Sequence, residues 1–208
     1  METVLLVPVD DSVVFPNMTV TLAIDVGDAD RVVLVPRKGD DFAAVGTVAN
    51  VVERVRLPGG GRAVALEGEY RARIGAASTD ASGALRVEVE PHPDDVPVDG
   101  RTRELEREYR AVVEELLELR GDDGRVAAFV RSITEPGALA DTTGYAPDLT
   151  YEQKIDVLET LDVTERLELA LKLQRERLAE LQVRARIRDD VQSGAEKQQR
   201  EYFLRKQM

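Results

Sequence analysis

The residues of this chain whose types and spacing could do covalent chemistry are few. His92 is the only histidine of 208 residues, and Asp94 and Asp95 follow it closely enough to suggest a metal ligand set or an acid-base pair. With no second histidine and no cysteine, a transition-metal site cannot be completed, and three prolines between Pro91 and Pro97 make His92 read as a solvated linker residue. Asp10-Asp11 and Asp122-Asp123 are paired carboxylates, but they stand where turns and helix caps use Asp. Gly59-Gly60-Gly61-Arg62 lacks both the lysine and the hydroxyl of a phosphate loop, and no G-x-x-x-x-G-K-[ST] occurs. Two apolar groups could serve noncovalent contact. Val9, Phe15, Pro16 and Met18 gather around the first strand turn, where an apolar group can stay exposed and methionine suits an adaptable surface; the competing reading makes Phe15 and Met18 core. Tyr202, Phe203 and Leu204 form a second apolar group near the end of the chain, suited to assembly or to contact with another module.

The elements that must position these groups divide the chain in two. Short β-prone runs at Val4–Val9, Val13–Phe15, Met18–Ile24, Arg31–Pro36 and Ala84–Glu90 are punctuated by Asp, Gly, Pro or Asn. Between Val45 and Ile74, two apolar runs flank Pro58-Gly59-Gly60-Gly61 as a hairpin. A break at Gly68 then precedes a further strand, with Tyr70, Ala72 and Ile74 inward and Arg71 and Arg73 outward. No helix-length segment separates these runs, which predicts a six-stranded barrel over residues 1–91 and a linker over 92–100.

After Gly100 the period becomes helical. Leu105, Tyr109, Val112, Leu116 and Leu119 share one face, and Gly121-Asp122-Asp123-Gly124 ends that helix. Val126, Phe129, Val130 and Ile133 mark a second helix, and Pro136 opens a third. Thr150 with Gln153 forms a capping box, and Asp162 or Thr164 caps a helix able to run from Val163 to the end, roughly 60 to 70 Å at 1.5 Å per residue, with Ser193-Gly194 as its one weak point. The expected fold is α+β: a barrel, then a helical bundle over 101–208 with a long projecting helix. That helix carries helix formers to its last residue and no cap, so further chain is expected to follow.

The net charge of -12 lies wholly in residues 1–150, since residues 151–208 hold 12 acidic and 12 basic side chains. An acidic front repels phosphates and disfavours nucleic acid as a partner. Arg184, Arg186, Arg188, Lys197 and Arg200 are interleaved with Asp189, Asp190 and Glu196, which reads as a solvated or intersubunit helix face. The absence of cysteine, of a signal peptide and of any apolar run near 20 residues points to the cytoplasm and away from a membrane.

Three stretches are similar to one family. VPVDDSVVFPNMTVTLAID (7–25), the hairpin 45–74, and ALADTTGYAPDLTYEQKIDVLETLDVTERLELALKLQRERLAEL (138–181) with EKQQREYFLRKQM (196–208) resemble the amino-terminal region of the ATP-dependent serine protease Lon. The resemblance implies a PUA-like barrel, a helical bundle and a neck helix, in a hexamer that degrades misfolded and regulatory proteins. It implies that this chain is the receptor for unfolded or degron-bearing substrates, holding no cofactor, while ATP and Mg²⁺ belong to an ATPase module further along. The chain departs from the family pattern at Asn17, where glycine is frequent, at Thr21, where proline is frequent, and after the second strand, where residues 25–30 leave no room for a short helix. A freestanding PUA-like binding protein and a coiled-coil adaptor are the rival readings.

Overall fold

The computed structural model describes residues 2–81, 83–96 and 99–206. Strands β1 (Glu2–Val9), β2 (Thr19–Leu22), β3 (Arg31–Lys38), β4 (Asp41–Phe42), β5 (Val45–Arg56), β6 (Arg62–Thr79) and β7 (Leu85–His92) come first. Helices α1 (Gly100–Arg120), α2 (Arg125–Ser132), α3 (Pro136–Asp141), a 3-10 turn (Thr142–Tyr145), α4 (Tyr151–Glu159) and α5 (Val163–Lys206) follow.

The order β1-β7-β6-β5-β3 closes on itself, because β1 also pairs with β3 in parallel from Leu5↔Val32 to Val9↔Pro36. Closure removes the exposed edges that an open sheet would leave. The hub is β6, which bonds β2 and β5 along its first half and β7 along its second. Gly68 does not break it, although the sequence suggested a strand end there. The chain passes straight through, with a bulge opposite Val48 and Ala49, and glycine is needed because a Cβ would stand 2.6 Å from the Phe15 carbonyl oxygen.

Residues 13–15, expected as a strand, are irregular, since their polar backbone is engaged by side chains and turns: Thr47 Oγ1 donates to the Val14 carbonyl at 2.6 Å. Asn17 takes φ 65°, the left-handed backbone that asparagine tolerates better than most residues, which accounts for a position where glycine serves as well. Residues 23–30 contain no helix, as their shortness predicted.

Strand β3 is buried on both faces, which is why VVLVP reads as an unbroken apolar run. Val32 and Leu34 join Val7, Val9, Val64 and Leu66 on one side. Val33 and Val35 join Phe15, Val48 and Val89 on the other, where Ile155, Val157 and Leu158 of α4 and Leu173 of α5 complete the cluster. A third cluster lies among helices only, uniting Leu105, Tyr109 and Val113 of α1, Val130 of α2, Leu139 of α3, and Leu167 and Leu171 of α5.

The helix ends obey the expected signals. Gly121, at φ 72°, ends α1 with its N–H bonded to Leu117 and Glu118 carbonyls. Both halves of the Thr150–Gln153 capping box form, at 3.2 and 3.0 Å, and the Asp162 carboxylate accepts from Glu165 N–H at 2.8 Å. Helix α5 continues without interruption through Ser193-Gly194 for 44 residues, about 66 Å at 1.5 Å per residue. Its last buried residue is Leu178, and Val183, Ile187 and Val191 beyond it are exposed. No helix among the described residues is long and apolar enough to cross a membrane.

Candidate functional site

The first strand turn is not an accessible apolar surface. Val9, Phe15 and Pro16 are buried and Met18 is half-buried. The cause is local folding: the chain after β1 tucks under β6, Met18 Sδ accepts the Phe15 N–H at 3.3 Å, and the Phe15 ring packs at 6.4 Å from the Tyr145 ring. The Val9 carbonyl accepts the Tyr151 hydroxyl at 2.9 Å, tying α4 to the end of β1. Tyr202, Phe203 and Leu204 are exposed on the outer end of α5, at 59, 56 and 60%, with the two rings edge to face.

His92 also differs from its expected place. It ends β7, is half-buried, and its Nδ1 has no hydrogen-bond partner among the described residues. Asp10 pairs with Arg37 at 2.6 Å, while Asp122 and Asp123 accept from the backbone N–H groups of Gly124 and Arg125, the turn duty that their setting suggested.

An apolar groove does exist, on the bundle. Helix α2 lies against α1 because the Arg110 guanidinium donates to the Val130 and Ile133 carbonyls at the end of α2. This leaves a cavity of about 350 Å³ whose buried lining includes Val113, Leu116, Val130, Tyr109 and Gln174. Its rim is apolar and accessible: Val126 is 47% exposed, Phe129 50% and Tyr145 37%. Burial, and secondarily the charge of Asp141, pushes the Tyr145 hydroxyl up to about 12, so it is a neutral donor at physiological pH. Arg120 and Arg177 share the Asp148 carboxylate nearby. Nothing in the arrangement resembles a nucleophile with its base; its chemistry is apolar contact with a few polar anchors. In the sequence, Val126 and Phe129 mark only the face of a short helix. No residue pattern signalled the groove: Val126, Phe129 and Val130 share one face of an eight-residue helix, and only Val130 of the three is buried.

A second built feature sits where barrel and helices meet. The side chains of Arg71 on β6 and Arg166 on α5 are wholly buried. Arg71 grips Asp141 with two bonds of 3.0 and 2.6 Å, and Arg166 grips Asp94 with two of 2.8 and 2.7 Å. Cross-contacts of 3.8 Å (Arg71 to Asp94) and 3.4 Å (Arg166 to Asp141) close the four into a quartet. The remaining donors reach backbone carbonyls of the α4–α5 corner: Arg71 Nε to Leu158, Arg166 Nε to Thr160 and Nη2 to Leu161. Burial alone would raise the Asp94 carboxyl, but Arg166 and then Arg71 outweigh it and hold it below the usual carboxylate range. The alternation in β6 had placed Arg71 on the wet face. It is buried because α3 and α4 cover that face.

A closed barrel fused to a helical layer, with an apolar groove on that layer and one long outgoing helix, is an α+β architecture whose candidate site offers apolar contact. The chain belongs to the family of the ATP-dependent protease La (LON) substrate-binding domain, whose model matches residues 3–175. It is 38% identical over its whole length to the Lon protease of Mycolicibacterium smegmatis and 33% identical over 97% of its length to that of Escherichia coli K12. The chain spans 28% of the length of each. Its fold matches the N-terminal domain of the Mycobacterium avium complex Lon protease with a TM-score of 0.74 at 34% identity, covering 84% of this chain and 98% of that one. The Lon N-terminal domain protein of Xanthomonas campestris, at 18% identity and a TM-score of 0.62, shares the fold.

Proposed function

We propose that this chain is the receptor of a cytoplasmic ATP-dependent Lon protease, capturing unfolded polypeptides by apolar contact and helping to assemble the hexamer. The observation that carries the capture reading is the α1–α2 groove. Unfolded chains share exposed apolar side chains, and Val126, Phe129 and Tyr145 offer them a complementary surface that the fold itself leaves uncovered. Catalysis, with its ATP and Mg²⁺, falls to modules outside these residues, and this region needs no cofactor of its own. Tyr202, Phe203 and Leu204 at the end of α5 serve assembly or the contact with those modules.

Casein, which lacks a fixed fold, is a suitable probe. Phe129→Ser should weaken casein binding at least about tenfold, the scale of an aromatic anchor at a binding surface. Because the ring is half exposed, the melting temperature should move by no more than about 2 °C. Unchanged affinity in that variant would remove the groove from the capture surface.

A further inference from the structure

We infer that Asp94 is the clasp of a joint between two lobes of this region, and that releasing it loosens the helical layer from the barrel without unfolding either. The lobes follow from the cores. One cluster unites the barrel with α4 and Leu173, while another unites α1, α2, α3 and the early turns of α5. Helices α1 and α3 pack mainly on α5 rather than on strands. At the α3 side of the seam, the contacts that join the lobes are the ionic quartet and the Phe15 ring against the 3-10 turn.

The four members of the quartet are unequal. Arg71, Arg166 and Asp141 are sealed, with side-chain exposures of 0, 0 and 1%, whereas Asp94 keeps 26% and comes from the segment joining β7 to α1. It enters beside α3 because residue 137 is glycine; a Cβ there would land on Asp94 Oδ2. With Asp94 in place the charges balance, two guanidiniums against two carboxylates. Without it, two buried guanidiniums share Asp141 alone, and an uncompensated buried charge drives the site to open toward water. Opening there separates α3 from β6 and frees the α4–α5 corner, whose carbonyls the same two arginines hold. Since Arg166 lies in the first turns of α5, the clasp fixes how the outgoing helix is set against the barrel.

Native-state hydrogen exchange on the whole chain tests this. In Asp94→Asn, the hydrogen-bonded amides of Leu139 to Asp141, of Thr160 and of Arg166 should exchange at least about tenfold faster, while those of Val33 and Val48 in the barrel and Tyr109 in α1 keep their rates. Asp94→Glu should restore most of the protection, and Asp95→Asn, at the exposed neighbouring carboxylate, should change nothing. Unchanged rates at the seam in Asp94→Asn, or an equal acceleration at all these amides, would overturn the clasp, the second by making Asp94 a residue of general stability only.

Discussion

Phe15 and Gly144 form one unit, though they are far apart in the chain. Phe15 is fully buried, and a Cβ on Gly144 would collide with its ring. Two substitutions should therefore fail in the same way from opposite sides. Phe15→Ser empties a filled site and leaves a hydroxyl there, with an expected loss of about 3–5 kcal/mol. Gly144→Ala overfills it, with an expected loss of about 1–3 kcal/mol. Chemical denaturation measures both, and a Phe15→Ser protein with wild-type stability would contradict the buried placement. Phe15 also shows what residue types can and cannot disclose. Its fate as core or exposed anchor was balanced in the sequence, because the decision rests on the tuck of residues 13–18 under β6, set by Asn17, Met18 and Gly68 together. The burial of Arg71 was hidden for a related reason: period-2 alternation reports one wet face, and only α3 and α4, whose contacts with it lie 70 and 87 residues later, make that face dry.

At the scale of elements, local signals did well wherever one element's own residues decide its form. The glycine hairpin, the capping box at Thr150, the stop at Gly121 and the start of α5 after Asp162 are of this kind. They did poorly where two elements decide jointly. The segment after β7 illustrates this: its prolines suggest irregular chain, as residues 93–96 are, but say nothing of Asp94 reaching two buried arginines. The charges around it, Arg71, Arg166, Asp141 and His92, make its contribution pH-dependent. The folded carboxyl is depressed below the unfolded value near 3.9, so its stabilisation is complete well above about pH 4 and disappears as pH falls through the lower, folded value. The difference in protection of the Leu139 to Asp141 amides between wild type and Asp94→Asn, corrected for intrinsic exchange, should accordingly be wide at pH 7 and close on acidification below about pH 4. A gap of constant width down to about pH 3 would mean that the two arginines do not require the Asp94 charge.

For the whole molecule, the decisive asymmetry is between a packed body and an unpacked arm. Every buried residue of α5 lies at or before Leu178, so the remaining turns contribute helix but no core. A single helix in water draws little stability from propensity alone. The arm's exposed Val183, Ile187, Val191 and Tyr202 lack a cover among the described residues, and its charge opposes the acid carried by residues 1–150. Two properties should therefore separate on truncation. Ending the chain after Arg184 should leave the melting temperature of the body within about 2 °C, because no buried contact is lost. The same cut should abolish the weak, concentration-dependent association that the exposed apolar residues of the arm favour at high protein concentration. Sedimentation across a dilution series, with and without the arm, reads both species directly. Association that survives the cut would assign self-contact to the body, with the α1–α2 groove as its first suspect; a melting temperature that falls with the cut would mean that the arm folds back on the body in solution.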